Sequence, residues 1–163
     1  MSYLSPTLTL LVGAVKKATA SLDRDFNEIE KLQSSVRGYQ NFVSRSFERV
    51  AQTLKGELSR VRPDAVFVDG KTPLSRGCCF MVNPIDGMGN FVRGIPVFAT
   101  TVAYCENGEV KASVVYNRAS DELYFAEKGS GAYKEGFRNH ERLRVSAVKD
   151  GTAALVAASI GFQ

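Results

Sequence analysis

Apolar residues recur at intervals of three and four from near the start of the chain, at Leu8, Leu11, Val12, Val15, Ala18, Leu22 and Phe26. That spacing lines one side of a helix. Ser5-Pro6 just ahead supplies an N-cap and a first-turn proline, so the pattern predicts a helix of several turns. It breaks around Arg37-Gly38-Tyr39, then resumes at Phe47, Val50, Ala51, Leu54, Leu58 and Val61 as a second amphipathic helix that Pro63 helps to end. From Ala65 the period shortens. Segments 65–68, 78–82, 97–105, 110–116, 122–126 and 132–134 read as strands, rich in β-branched and aromatic residues. Glu106-Asn107-Gly108 is a hairpin turn in which Asn and Gly accept positive φ, and 117–121 is a second connection of the same kind. Segment 153–162 reads as the start of a further strand. Two helices followed by a mostly antiparallel sheet predict an α+β fold, with 1–163 as a single domain.

Composition narrows the classes. The chain is 44% apolar and 23% charged, the balance of a soluble globular protein. No apolar run approaches the roughly 18 residues of a membrane span, and the first residues lack the basic region of a secretory signal, so the expected location is cytoplasmic, without a membrane partner. The net charge of +4 is spread over Lys16, Lys17, Arg24, Lys31, Arg45, Arg49, Lys55 and Arg60. Acidic residues alternate with these along both helices, which describes a solvated face and argues against nucleic acid. Cys78, Cys79 and Cys105 have no metal-ligand or redox spacing and read as small buried hydrophobes. His140, in the polar run around residue 140, reads as solvated surface.

Chemistry concentrates in Asn83-Pro84-Ile85-Asp86-Gly87-Met88-Gly89-Asn90-Phe91, where an apolar strand ends at a turn toward a helix. Amides at Gly87, Met88 and Gly89 would point outward and hold an anion, with Asp86 beside them for a cation. The same residues also describe an ordinary strand-to-helix turn with Asp86 as its cap.

The wider pattern, Asn83-Pro-Ile-Asp-Gly-x-x-Asn-Phe-Val-x-Gly-Ile-Pro96, resembles the signature of the inositol monophosphatase family, usually Asp-Pro-Ile-Asp-Gly-Thr-x-Asn-Phe-Val-x-Gly-x-Pro. The resemblance extends over nearly the whole chain, from Ser5-Pro6 through Gly108–Tyr116, Asp121–Ala126 and Gly129–Tyr133 to Leu143-Arg-Val-Ser146. It implies the N-terminal part of a layered αβ sandwich. The second α/β half, which in the family covers the sheet and closes the cleft, is expected to be absent from this chain.

The family hydrolyses phosphate monoesters with the help of magnesium, a hard cation that needs several oxygen ligands and carboxylate charge. Mapped onto this chain, its metal-binding and water-activating Glu falls on Lys71, after Asp69-Gly70. The first Asp of the motif is Asn83, a weakened ligand, and its water-orienting Thr is Met88. The peripheral carboxylates fall on Asn41 and Phe47. Asp86 and the backbone carbonyl of Ile85 remain as metal ligands, and Gly87 and Met88 remain for phosphate. Mg²⁺ is therefore implied by the family, with binding expected to be weak or absent.

The expected function is that of a catalytically impaired homologue, a pseudoenzyme with a binding or regulatory role. One alternative is a magnesium-dependent inositol or sugar phosphate monoesterase whose altered metal site uses Asp69, Asp86 and Asp64. Another is an interaction protein of transcription or ribosome maturation, as some bacterial relatives are thought to be. Expected partners are phosphate or a small phosphorylated ligand, and a second copy or another protein over the uncovered half.

Overall fold

The computed structural model describes residues 4–32, 36–68 and 77–155. Helix α1 (Pro6–Ala18) starts as its sequence predicts: the Leu8 amide donates to Ser5 Oγ at 3.2 Å. The predicted first helix does not run unbroken to Phe26. Thr19, fully buried, turns its hydroxyl back onto the Val15 carbonyl at 2.8 Å, and a short turn separates α1 from α2 (Leu22–Leu32). Such back-bonding competes with the helical ladder. The next helix, α3 (Val36–Val61), spans 26 residues and includes Arg37-Gly38-Tyr39, where the sequence predicts a break. Its Val50, Leu54 and Leu58 are almost wholly buried. Cutting either leucine to alanine is worth about 2–5 kcal/mol.

Among the described residues, seven strands form one sheet in chain order: β1 (Val66–Val68), β2 (Cys78–Asp86), β3 (Ala99–Glu106), β4 (Glu109–Asn117), β5 (Glu122–Glu127), β6 (Gly131–Lys134) and β7 (Glu141–Arg142). Only β1 and β2 run parallel; every other neighbouring pair is antiparallel. This is the expected α+β architecture. Strand β2 continues to Asp86 rather than stopping at residue 82, through a register shift between Asn83 and Asp86. Strand β3 begins at Ala99, later than predicted, because the short helix α4 (Met88–Phe91) and the loop after it fill the space between. Residues 151–153 form a single 3-10 turn, and most of the strand predicted over 153–162 lies outside the described residues.

The alternation of side chains gives the sheet two unequal faces. Phe80, Val102, Tyr104, Val114, Tyr116 and Phe125 join Leu11, Val15, Leu54 and Leu58 of the helices in one core. Met81, Thr101, Ala103, Ser113 and Val115 alternate with them and look the other way. The helical charges are largely solvated, as expected: Lys17 and Glu57 meet at 2.7 Å on the surface, a contact worth about 0–1 kcal/mol. Two minor expectations need correction. Cys79 and Cys105 are buried, but Cys78 is only half-buried and lies beside Arg62 and Tyr104. His140 is half-buried, its ring edge-on to Phe125 at 5.0 Å, because β7 folds it back onto the sheet.

Candidate functional site

The signature segment lies at the C-terminal end of β2, and its turn is held by apolar anchors. Ile85 and Phe91 are 3% and 0% exposed. Phe91 packs edge-on to Phe98 at 4.9 Å, and Phe26 of α2 packs against Phe98 at 5.2 Å with its ring tilted by 38°. Two side chains then tie the turn to β3 and to the loop before it: Thr100 Oγ1 donates to the Pro84 carbonyl at 2.7 Å, and Asn90 Nδ2 donates to the Val97 carbonyl at 2.7 Å. These clamps were not legible beforehand. Each joins a side chain to a carbonyl on another segment, which no local motif encodes.

Gly87 is the hinge of the turn. Its φ of 77° is left-handed, and a Cβ there would come within 2.8 Å of the Val97 carbonyl oxygen. Only glycine takes this position without strain. The carboxylate of Asp86 is not the helix cap. Gly87 itself is the N-cap, with no side-chain cap bond, and Asp86 Oδ1 accepts from the Gly87 amide at 3.1 Å. That amide is thereby withdrawn from any anion. The Met88 and Gly89 amides, at the start of α4, have no carbonyl within the helix to bond.

Beside the turn, a groove of about 460 Å³ runs over β2, β3 and β4. It is lined by the far-face residues Met81, Thr101, Ala103, Ser113 and Val115, and by Asn83 and Pro84 at its end. Phe47 of α3 lines the same groove. Phe47, read from the sequence as a lost ligand, and Asn83, read as a weakened one, are therefore brought to one place, and that place is mainly apolar. Asn41 is exposed one helical stretch earlier on α3. Asp64 is not part of the site: it is held by Arg62 through two bonds of 3.2 Å before β1, near the opposite end of β2 from Asp86. Asp69, Gly70 and Lys71 lie outside the described residues.

A model of the inositol monophosphatase family matches residues 3–163. The chain belongs to the inositol monophosphatase family. It is 41% identical over 149 residues to an inositol-1-monophosphatase of Rhizobium meliloti (strain 1021), covering 89% of this chain and 54% of that protein. It is 26% identical over 162 residues to the Nus factor SuhB of Vibrio cholerae, covering 97% of this chain and 59% of that one. Among solved structures, the extragenic suppressor protein suhB of Bartonella henselae superposes with a TM-score of 0.73 at 34% identity, over 88% of this chain and 56% of the other. An inositol monophosphatase of Thermotoga maritima superposes with a TM-score of 0.70 at 29% identity, over 88% of this chain and 55% of that one. The chain spans about half the length of the curated relatives it matches.

Set against the family's chemistry, the donors gathered here are few. Asp86 brings one charge, Asn83 an amide and Ile85 a carbonyl, and among the described residues no three His, Cys, Asp or Glu side chains come together to hold a metal. Mg²⁺ sheds its water reluctantly and needs carboxylate charge to do so. Among the described residues, the turn therefore offers a magnesium ion a single carboxylate. No helix among them is long and apolar enough to cross a membrane.

Proposed function

We propose that this chain is a catalytically impaired member of the inositol monophosphatase family, retaining the turn and its anion-facing amides but not a working metal centre. The observation that carries this reading is the pairing of Phe47 and Asn83 at the end of one apolar groove, where a hydrolytic site for phosphate esters needs carboxylates. The turn itself needs no catalytic explanation, because Gly87, Asn90 and Phe91 each have a structural task. On this reading 1–163 is a single domain whose role is binding or regulatory. Its ligand is phosphate or a small phosphorylated molecule at Met88 and Gly89, and its far sheet face is covered by a second copy or another protein.

The test is calorimetric titration with Mg²⁺, with and without inositol monophosphate, followed by a phosphate-release assay on the same sample. The expected result is no metal binding at millimolar concentration and no release above buffer. Turnover abolished by Asp86→Asn would overturn the reading in favour of a phosphatase with an altered metal site. A second reading, as an interaction protein, is favoured by one observation: the match to a protein named Nus factor SuhB runs over 97% of this chain. It predicts a protein partner whose binding is insensitive to chelators.

A further inference from the structure

A different cavity, of about 220 Å³, opens on the helix-covered side of the sheet, between the first turn of α1 and the last turn of α3. Leu10, Leu11, Leu58 and Val61 form its walls with Phe80. Leu10 and Val61 are 42% and 38% exposed, so this apolar wall is open to solvent.

Positive charge stands at the same cavity. Arg62 lines it together with Tyr104. Arg62 Nη1 donates to Tyr104 Oη at 2.9 Å, while Nε and Nη2 donate to Asp64 at 3.2 Å each and Nη2 also meets Cys78 Sγ. A guanidinium has five N–H donors, so among the described residues one, on Nη1 beside Tyr104, has no partner. The α1 N-terminus reaches the cavity through Pro6 and Thr7; its first turn holds no acidic residue, but Glu127 Oε1 accepts from the N-cap hydroxyl of Ser5 at 2.9 Å, so the positive charge at the cavity is that of Arg62. Two carboxylates stand beside the Arg62–Tyr104 cluster itself. Asp64, 64% exposed, occupies the guanidinium edge away from Tyr104, and Glu106 accepts from Tyr104 Oη at 3.3 Å. Neither lines the cavity, so a head group at Nη1 displaces neither.

We propose that this cavity binds a small amphiphile, with an aliphatic or aromatic body against Leu10, Leu11, Leu58 and Val61 and a single carboxylate head at Arg62. The volume is below the roughly 300–1,000 Å³ of sites for drug-sized ligands, which limits the occupant to a short chain or one ring. The proposal is independent of the signature turn, which lies at the other end of β2.

Octanoate, octanol and acetate titrated into the whole chain, followed by amide chemical shifts, test it. Octanoate should bind saturably, with shifts centred on Leu10, Val61 and Arg62. Octanol should bind about tenfold or more weakly, and acetate not at all, since a hydrogen bond to a charged group contributes about 1.5–3 kcal/mol. Arg62→Met should bring octanoate down to the affinity of octanol. Thr7→Trp, which fills the cavity from α1, should abolish binding of both. Octanoate and octanol binding equally, shifts centred elsewhere, or undiminished binding in Thr7→Trp would overturn the proposal, even if Arg62→Met fails to fold.

Discussion

Phe47 on α3 and Asn83 on β2 line one groove, so two substitutions far apart in the chain act on a single place. Restoring charge to both should create affinity where the parent has little. The double variant Phe47→Asp/Asn83→Asp is expected to bind Mn²⁺ or Mg²⁺ at least about tenfold more tightly than the parent, since it adds two carboxylates to the groove, with Asp86 three residues on from Asn83. Calorimetric titration reads the change, and an unchanged affinity would mean that the three groups do not converge.

Gly87 sits at positive φ against the Val97 carbonyl, whereas a Cβ on Gly89 would meet nothing closer than Arg93 Nη1 at 3.5 Å. Gly87→Ala should therefore cost about 1–3 kcal/mol in folding stability. Gly89→Ala, inside a helical turn, should be neutral or slightly stabilising. Urea denaturation of the two variants side by side checks the contrast.

Asp25 of α2 is 1% exposed and is paired with Arg49 of α3. Removing the arginine leaves a buried charge uncompensated, a loss of about 3–5 kcal/mol in fully buried pairs. The Arg49 side chain is 42% exposed, which places Arg49→Met at about the lower end of that span. The double variant Arg49→Met/Asp25→Asn should recover part of the loss. Equal melting temperatures for the single and double variants would show that the carboxylate is not the source of the penalty.

The Tyr104 hydroxyl is pushed up to about 12 from its ordinary 10.0, first by burial and then by its contact with Cys78. The folded state thus holds this proton more tightly than the unfolded chain does. The resulting stability is fully present below pH 10 and is lost as pH rises from 10 through 12. Denaturation midpoints across that window should fall more steeply for the parent than for Tyr104→Phe.

Much of the fold was legible because helical and strand periods are written directly in the spacing of apolar residues. The turn at Thr19 was hidden because Leu22 and Phe26 keep the helical spacing of Leu11 and Val15, although a buried hydroxyl has ended the helix between them. Gly38 looked like a break, yet α3 passes through it, carried by the long buried stripe that follows. Strand β7 is two polar residues and has no periodicity to read.

At the site, Asp86, Gly87 and Phe91 could be placed from local turn chemistry alone. The position of Phe47 came only through the family resemblance, since nothing in an amphipathic helix says that one of its half-buried residues will meet the end of a strand. The far-face residues Thr101, Ser113 and Val115 were unmarked for a related reason. In strands that alternate so regularly, the second face looks like solvent until the neighbouring strands are assembled.

The seven strands pair in the order in which they leave the ribosome. From β3 to β6 every pairing closes a loop of only a few residues, so the entropy of bringing partners together stays small. The sheet can therefore grow one hairpin at a time while synthesis continues, each new strand finding its template already in place. Helices α1 and α3, made first, wait with an uncovered apolar side until β2, β3 and β4 arrive. That interval, rather than sheet assembly itself, is when the nascent chain most needs shielding from other chains.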